Sequence, residues 1–133
     1  MPTNNFTLQQ IADRHALVKS GADFPAYIKD LKQMGVTHYT TYVSDGHTNY
    51  RSANGHELNT DAKYDVQDVA TISDAEHFKR ILKEHQHGMS DYPTFCRQCA
   101  EYGVDNWMVD MHAMTCIYYD TSGKQLLTEV IPS

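Results

Sequence analysis

The sequence lacks the features that mark membrane, secreted and nucleic-acid-binding proteins. It has no run of about 18 apolar residues, and its first residues, MPTNNFTLQQ, lack the charged segment and apolar run of a signal peptide. Its 17 acidic residues outnumber its 11 basic residues, which argues against a surface that binds phosphates. We therefore expect a cytoplasmic protein with no nucleic-acid or membrane partner.

Cysteine and catalytic motifs are also scarce. The chain has three cysteines, an odd number that fits free thiols better than a framework of disulfides. Glycine-rich phosphate loops, GxSxG nucleophile elbows and the HExxH zinc motif do not occur in the sequence. These absences make an enzyme less expected without excluding one, and we expect no cofactor.

The length and composition of the chain are those of one folded domain. At 133 residues, of which 41% are hydrophobic, it is long enough to bury one core without metal or disulfide crosslinks. We expect a single domain over residues 1–133.

Two helices are predicted from the spacing of a capping box, in which a hydroxyl and an amide or carboxylate bind each other's backbone N–H groups. Thr7 and Gln10 have this spacing at the start of an apolar stripe, which predicts a helix over about residues 7–19. Ser73 and Glu76 repeat the spacing before a second apolar stripe and predict another helix.

Two further helices are predicted to begin at prolines. Proline is tolerated in the first turn of a helix, where its missing N–H would have no partner. Pro25 and Pro93 each follow an aspartate by two residues, and a negative charge is favourable at this end of the helix dipole.

Strands are predicted in the segments that follow these helices. Each segment is rich in β-branched and aromatic residues, and tight-turn dipeptides such as Asn54-Gly55 separate them. The predicted strands are THYTTYVS, TNYRS, NWMVDMH, TCIYYD and QLLTEVI.

The same order of predicted helices, strands and turns occurs twice along the chain. A shift of 68 residues places Asp23 on Asp91, Gly35 on Gly103 and other turn and helix-start residues on their counterparts. We predict a tandem duplication of a helix-helix-hairpin unit, with repeat 1 over about 7–60, repeat 2 over about 73–131 and an irregular link over 56–72 that is a strand or an extended segment. The expected fold is α+β and pseudo-twofold symmetric, with helices packed on one face of a mostly antiparallel sheet built by both halves.

The segment YPTFCRQCAEYGV places Cys96 and Cys99 at a spacing that suits a zinc or redox site as well as helix packing. Under the same shift, the two cysteines fall on Ile28 and Leu31, which are large apolar residues. We therefore interpret both cysteines as core residues and expect no metal site. The alternative zinc ligands are Cys96, Cys99, His85 and His87.

Two stretches of the sequence resemble the signature segments of a known family. They are SGADFPAYIKDLKQMGVTHYTTYVSDGHTNY and DYPTFCRQCAEYGVDNWMVDMHAMTCIYYD, and the resemblance covers nearly the whole chain. The family is a domain of unknown function found in small uncharacterised bacterial proteins, some of which are described as phage envelope protein. The resemblance implies no activity and no catalytic residues, and it suggests a link to phage or prophage by name only.

The first predicted hairpin carries the strongest candidate for a polar site. In the turn SDGH, Asp45 and His47 present a carboxylate and an imidazole together, which suits acid–base chemistry or contact with a ligand. Asp-Gly is also ordinary turn chemistry. The matching positions of the second half hold Ala113 and Thr115, so we expect that the fold does not require the polar pair.

We therefore predict a small soluble binding or interaction protein. The alternative is a small-molecule-binding protein or an enzyme that uses Asp45 and His47, with Tyr42 or Tyr50 nearby. An enzyme needs a concave pocket, whereas an interaction protein needs a flat apolar patch or an open strand edge. The sequence identifies no ligand and leaves the formation of a homo-oligomer open.

Overall fold

Four helices and six strands occupy the described part of the chain, residues 6–18, 23–53 and 55–131 of a computed structural model. Lys19 of the first predicted helix and Asn54 of the predicted Asn-Gly turn lie outside the described residues. The helices are α1 (Leu8–His15), α2 (Phe24–Gln33), α3 (Ala75–Gln86) and α4 (Tyr92–Glu101). The strands are β1 (Val36–Tyr42), β2 (Thr48–Ser52), β3 (Glu57–Asn59), β4 (Val104–Asp110), β5 (Thr115–Asp120) and β6 (Gln125–Val130).

Helix α1 begins with the predicted capping box. The Thr7 hydroxyl accepts a hydrogen bond from the Gln10 backbone N–H at 3.2 Å, and the Gln10 side chain accepts one from the Thr7 N–H at 2.9 Å. The prediction of a capping box at the start of the chain is therefore confirmed.

The predicted capping box of α3 is wrong by one residue. Asp74, not Ser73, is the N-cap, and its carboxylate accepts a hydrogen bond from the His77 backbone N–H at 3.1 Å. Aspartate and serine both cap well, so their local chemistry does not decide between them. The Ser73 hydroxyl instead donates to the Asp120 carboxylate at 3.3 Å, a partner that lies far away in the sequence.

The six strands form one antiparallel sheet in the order β3-β2-β1-β4-β5-β6. The core lies between one face of this sheet and the helices, and along β1 the residues Val36, Tyr39 and Thr41 point into it. The predicted α+β fold, with helices on one face of an antiparallel sheet, is confirmed. Within the described residues, no helix combines the length and the apolar character needed to span a membrane.

The strand pairing is symmetric about the middle of the sheet. Thr40 lies opposite Met108, and the shift of 68 residues moves Thr40 onto this same residue. The shift also converts the pair on one side of Thr40, Tyr39 and Val109, into the pair on its other side, Thr41 and Trp107. A bulge at Thr37 in β1 has its counterpart at Asp105 in β4. Helices α2 and α4 likewise begin and end at corresponding residues. This correspondence supports the duplication, which stays a prediction.

The two cysteines of α4 are core residues, as the sequence predicts. The exposed fractions of Cys96 and Cys99 are 1% and 0%, and those of their counterparts Ile28 and Leu31 are both 0%. Gly35 and Gly103, which follow α2 and α4, have positive φ angles of 97° and 81°. Both helices therefore end with glycine in the left-handed conformation and bury the same positions.

Candidate functional site

Asp45 and His47 converge in the turn between β1 and β2. The Asp45 Oδ1 lies 2.5 Å from the His47 Nδ1 and also accepts a hydrogen bond from the His47 backbone N–H at 3.0 Å. The His47 ring stacks on the Tyr42 ring, with ring centroids 4.6 Å apart and an interplanar angle of 12°. Three side chains therefore form one cluster, and Tyr42 is the neighbour that the sequence predicts.

The other predicted neighbour, Tyr50, is not part of this cluster. It lies opposite Tyr39 on the core face of the sheet, with ring centroids 5.3 Å apart, and its exposed fraction is 7%. Side chains alternate between the two faces along a strand, and Tyr39 and Tyr42, three residues apart, therefore point to opposite faces. Tyr50 shares the face of Tyr39, so it points away from Tyr42. The prediction that Tyr50 could serve this site is wrong.

The electrostatics of the cluster favour a charged Asp45. The hydrogen bond from the His47 backbone N–H, and then that from its ring, lower the pKa of the Asp45 carboxyl below its ordinary value of 3.8. A carboxylate that holds Nδ1 leaves Nε2 as the nitrogen that can exchange a proton with a ligand. The pair therefore has the arrangement of an oriented imidazole base.

The turn that carries this pair is held in place by the segment after β3. The Asp45 carbonyl accepts hydrogen bonds from the backbone N–H groups of Lys63 and Tyr64, at 2.7 and 3.3 Å, and the Tyr64 hydroxyl donates to the Val43 carbonyl at 2.5 Å. Gly46 has a φ of +77°, and a Cβ at this residue would lie 2.7 Å from the Tyr64 ring. The site is therefore a fixed turn under a covering segment.

A second cluster of the same composition occurs at the start of α3. The Asp74 Oδ2 lies 2.5 Å from the His77 Nδ1, and the His77 ring stacks on the Tyr102 ring with centroids 5.2 Å apart. These side chains cap a helix and are more exposed than Asp45 and His47. Ordinary backbone capping therefore produces this geometry, which by itself does not indicate catalysis.

Neither Asp45 nor His47 lines either of two clefts in the described part of the chain. One, of about 190 Å³, lies between α1 and α2, and the other, of about 310 Å³, lies between α4 and the segment after β3. Ligand pockets for small molecules usually have volumes of about 300–1,000 Å³. The residues that line the larger cleft are Tyr64, Asp65, Gln67, Pro93 and Arg97.

The four alternative zinc ligands lie in different environments. The His85 ring stacks on Phe95 with centroids 4.4 Å apart, and His87 is exposed at the end of α3. Burial raises the pKa of the Cys96 and Cys99 thiols, which disfavours the thiolate that a metal or a redox reaction requires. In residues 6–18, 23–53 and 55–131, no group of three or more potential ligands is placed to hold a metal ion.

The sheet face that points away from the helices, which we call the open face, is a second candidate site. Its side chains alternate with the core side chains along each strand, and Tyr42, on which the His47 ring stacks, is one of them. Most of them are half-buried, and the central ones carry no charge. The central residues are Thr40, Tyr42, Asn106, Met108, Ile117 and Tyr119.

A polar network borders this face on the side of β3. Asn49 is 5% exposed and donates from its side chain to Glu57 at 2.7 Å and to Asn59 at 2.9 Å. The side-chain Oδ1 of Asn49 accepts a hydrogen bond from the Arg51 Nε at 2.8 Å. The network fixes the side chains of this border. Period-two alternation in the sequence would have identified both the centre and the border, once the helices had been assigned to the other face.

Comparison with known proteins places the chain in a family without adding an activity. None of the curated proteins matches it. The model of one family matches residues 12–130, which is most of the chain, and that family is described as "Protein of unknown function (DUF1398)". The chain therefore belongs to the DUF1398 family of proteins of unknown function.

Proposed function

We propose that this chain is a binding protein that docks a protein partner on its open face. The observation that carries the proposal is the distribution of side chains on that face. Four of the six central side chains are aromatic, aliphatic or methionine, and the other two, Thr40 and Asn106, are polar but uncharged. The charged side chains of Arg51, Glu57 and Asp110 lie nearer its borders. Interface cores are depleted in charge and enriched in aromatic residues and methionine, whereas their rims are polar.

The dimensions of the face suit a protein better than a small molecule. Six strands about 4.8 Å apart, each up to seven residues long, span roughly 25 by 20 Å. This area of about 500 Å² approaches the roughly 800 Å² that each partner contributes to a standard interface. The partner surface that would fit is uncharged, apolar at its centre and able to donate hydrogen bonds to Asn106 and the tyrosine hydroxyls.

The family resemblance and the cysteines narrow the choice of partners to test. Members described as phage envelope protein make phage and prophage proteins the first candidates. The three cysteines Cys96, Cys99 and Cys116 are free thiols, which supports a location in the reducing cytoplasm.

A photo-crosslinking residue placed at Tyr119 tests this function. Incorporated in the native host, it is expected to give one discrete crosslinked partner, because Tyr119 lies on the open face. The same residue placed at Ile72, which is 84% exposed outside the sheet, is the control and is expected to give no such product. A partner captured equally from Ile72 would contradict the proposal.

The captured partner, once purified, gives a quantitative test. Ile117→Lys places a charge at the centre of the face and is expected to weaken binding at least tenfold, whereas Ile72→Lys is expected to bind as the parent does. Calorimetric titration measures both constants. Equal affinity for Ile117→Lys and the parent would show that the partner docks elsewhere.

The Asp45–His47 pair supports a second candidate function, a small-molecule or acid–base site beside Tyr42 of the open face. Its specific support is the carboxylate that orients the imidazole, together with the covering segment that holds the turn. A thermal-shift screen of metabolites would detect a ligand, because binding to the folded state raises its stability.

The double variant Asp45→Ala/His47→Thr is expected to lower the free energy of unfolding at pH 7 by only about 1 kcal/mol. It removes two local hydrogen bonds and keeps Gly46 and the backbone bonds of the turn. Since the pKa of Asp45 is lowered on folding, its carboxylate stabilises the fold above its ordinary pKa and loses this effect as the pH falls through the lowered value. Denaturant unfolding at pH 7 and pH 3 should therefore show the larger difference at pH 7.

Asp74→Ala/His77→Thr is the matched control, because it removes the same pair from a helix cap. Loss of a thermal-shift ligand in the Asp45/His47 variant alone would assign the ligand to the turn. Retention of every ligand by a folded Asp45/His47 variant would eliminate this second function.

A further inference from the structure

We propose that two copies of this chain pair through strand β6, edge to edge and antiparallel, so that their sheets form one continuous twelve-stranded sheet. Strand β6 is the last strand of the sheet and, in the described residues, pairs only with β5. This inference concerns a different surface from the open face and does not depend on the function proposed above.

The direction of the backbone groups shows what this edge offers. The Ile131 N–H donates to the Met114 carbonyl at 2.8 Å, so the backbone of Ile131 points towards β5. Backbone groups of neighbouring strand residues point in opposite directions. The N–H and carbonyl groups of Thr128 and Val130 therefore point outward, away from β5.

The two edges of the sheet differ in their protection. Strand β3, at the opposite edge, has three residues, and Glu57 and Asn59 are exposed on it. Strand β6 has six residues without proline or lysine, and Val130 is 78% exposed. Short length, charge and proline are the usual means of blocking an edge, and β6 has only Glu129.

The residues of β6 are complementary to those of β6 in a second copy of this chain. In an antiparallel pair centred on Thr128, Glu129 lies opposite Leu127 of the other copy, so no two like charges meet within the strand. Leu126 lies opposite Val130 at both ends, and two threonines face each other at the centre, a favourable cross-strand pair. The dimer would also join the open faces of both copies into one surface.

Single cysteine variants test the pairing and its register. Residues on the twofold axis of such a pair have Cα atoms about 5.5 Å apart, a distance that a disulfide spans. Thr128→Cys is therefore expected to form a disulfide-linked dimer under mild oxidation, seen on a non-reducing gel. Val130→Cys is the control, because its two copies would lie about 13 Å apart along the strands. The native cysteines are buried and should not react.

Sedimentation equilibrium measures the association without any crosslink. The parent is expected to be in monomer–dimer equilibrium, and Thr128→Pro, which removes an outward N–H and leaves the bonds to β5, should weaken it at least tenfold. Asn59→Pro on β3 and Met108→Lys on the open face, two strands away from β6, should dimerise as the parent does.

Four results would overturn the inference. They are a parent that stays monomeric at about 1 mM, equal crosslinking of both cysteine variants, undiminished dimerisation of Thr128→Pro, and loss of the dimer in Met108→Lys alone, which would place the interface on the open face.

Discussion

Replacing Gly103 by alanine is expected to lower the free energy of unfolding by about 3 kcal/mol. Gly103 has a φ of +81°, and a Cβ there would lie 2.6 Å from the Ser73 Cα and 2.8 Å from the Ile72 carbonyl oxygen. A positive φ costs alanine about 1 kcal/mol, and a contact with backbone atoms adds about 1–3 kcal/mol because the backbone cannot move aside cheaply. Urea unfolding monitored by circular dichroism measures the loss.

Gly123→Ala is the matched control for this prediction. Gly123 has a φ of +86°, close to that of Gly103, but no atom lies within 4 Å of the position that a Cβ would take. Gly123→Ala should therefore lower the free energy of unfolding by about 1 kcal/mol, which is the cost of the backbone conformation alone. Equal losses in the two variants would show that the segment before α3 does not press on Gly103.

Leu31→Ala is expected to cost about 3 kcal/mol. The Leu31 side chain is 0% exposed in the shared core, and its removal leaves a cavity that the surrounding helices and sheet fill only in part. The same denaturant titration measures this loss.

Leu17→Ala removes the same atoms from a side chain that is 63% exposed and should change stability by less than about 0.5 kcal/mol. A small effect at Leu31 would contradict the core assignment. It would also weaken the argument that Cys99, its counterpart in the second half, is there for packing.

The candidate site was only partly predictable. Asp45, His47 and Tyr42 form a local cluster because they lie within five residues of each other, and turn chemistry brings such residues together. The segment that fixes the turn could not be predicted, since Tyr64 contacts Val43 from 21 residues away. The open face also went unidentified, because period-two alternation shows that a strand has two faces without showing which one the helices cover.

Sequence alone determined most local elements of this protein and their order, but it left open whether the link that holds β3 contains a strand. The capping box of α1, the prolines in α2 and α4 and the glycines that end both helices act through hydrogen bonds and backbone angles within about four residues, so their chemistry can be read directly. The shift of 68 residues also indicated that Cys96 and Cys99 are buried, because it places them on the large apolar residues Ile28 and Leu31.

Only the tertiary structure decided how these elements meet. The pairing of β1 with β4, the choice of Asp74 over Ser73 as a cap and the isolation of β6 at an edge depend on contacts between distant parts of the chain. Several strand orders would satisfy the same local signals. The observed order prevails because it lets the helices of both halves bury their apolar faces on one side of a single sheet, and the free energy of that burial is a property of the whole fold.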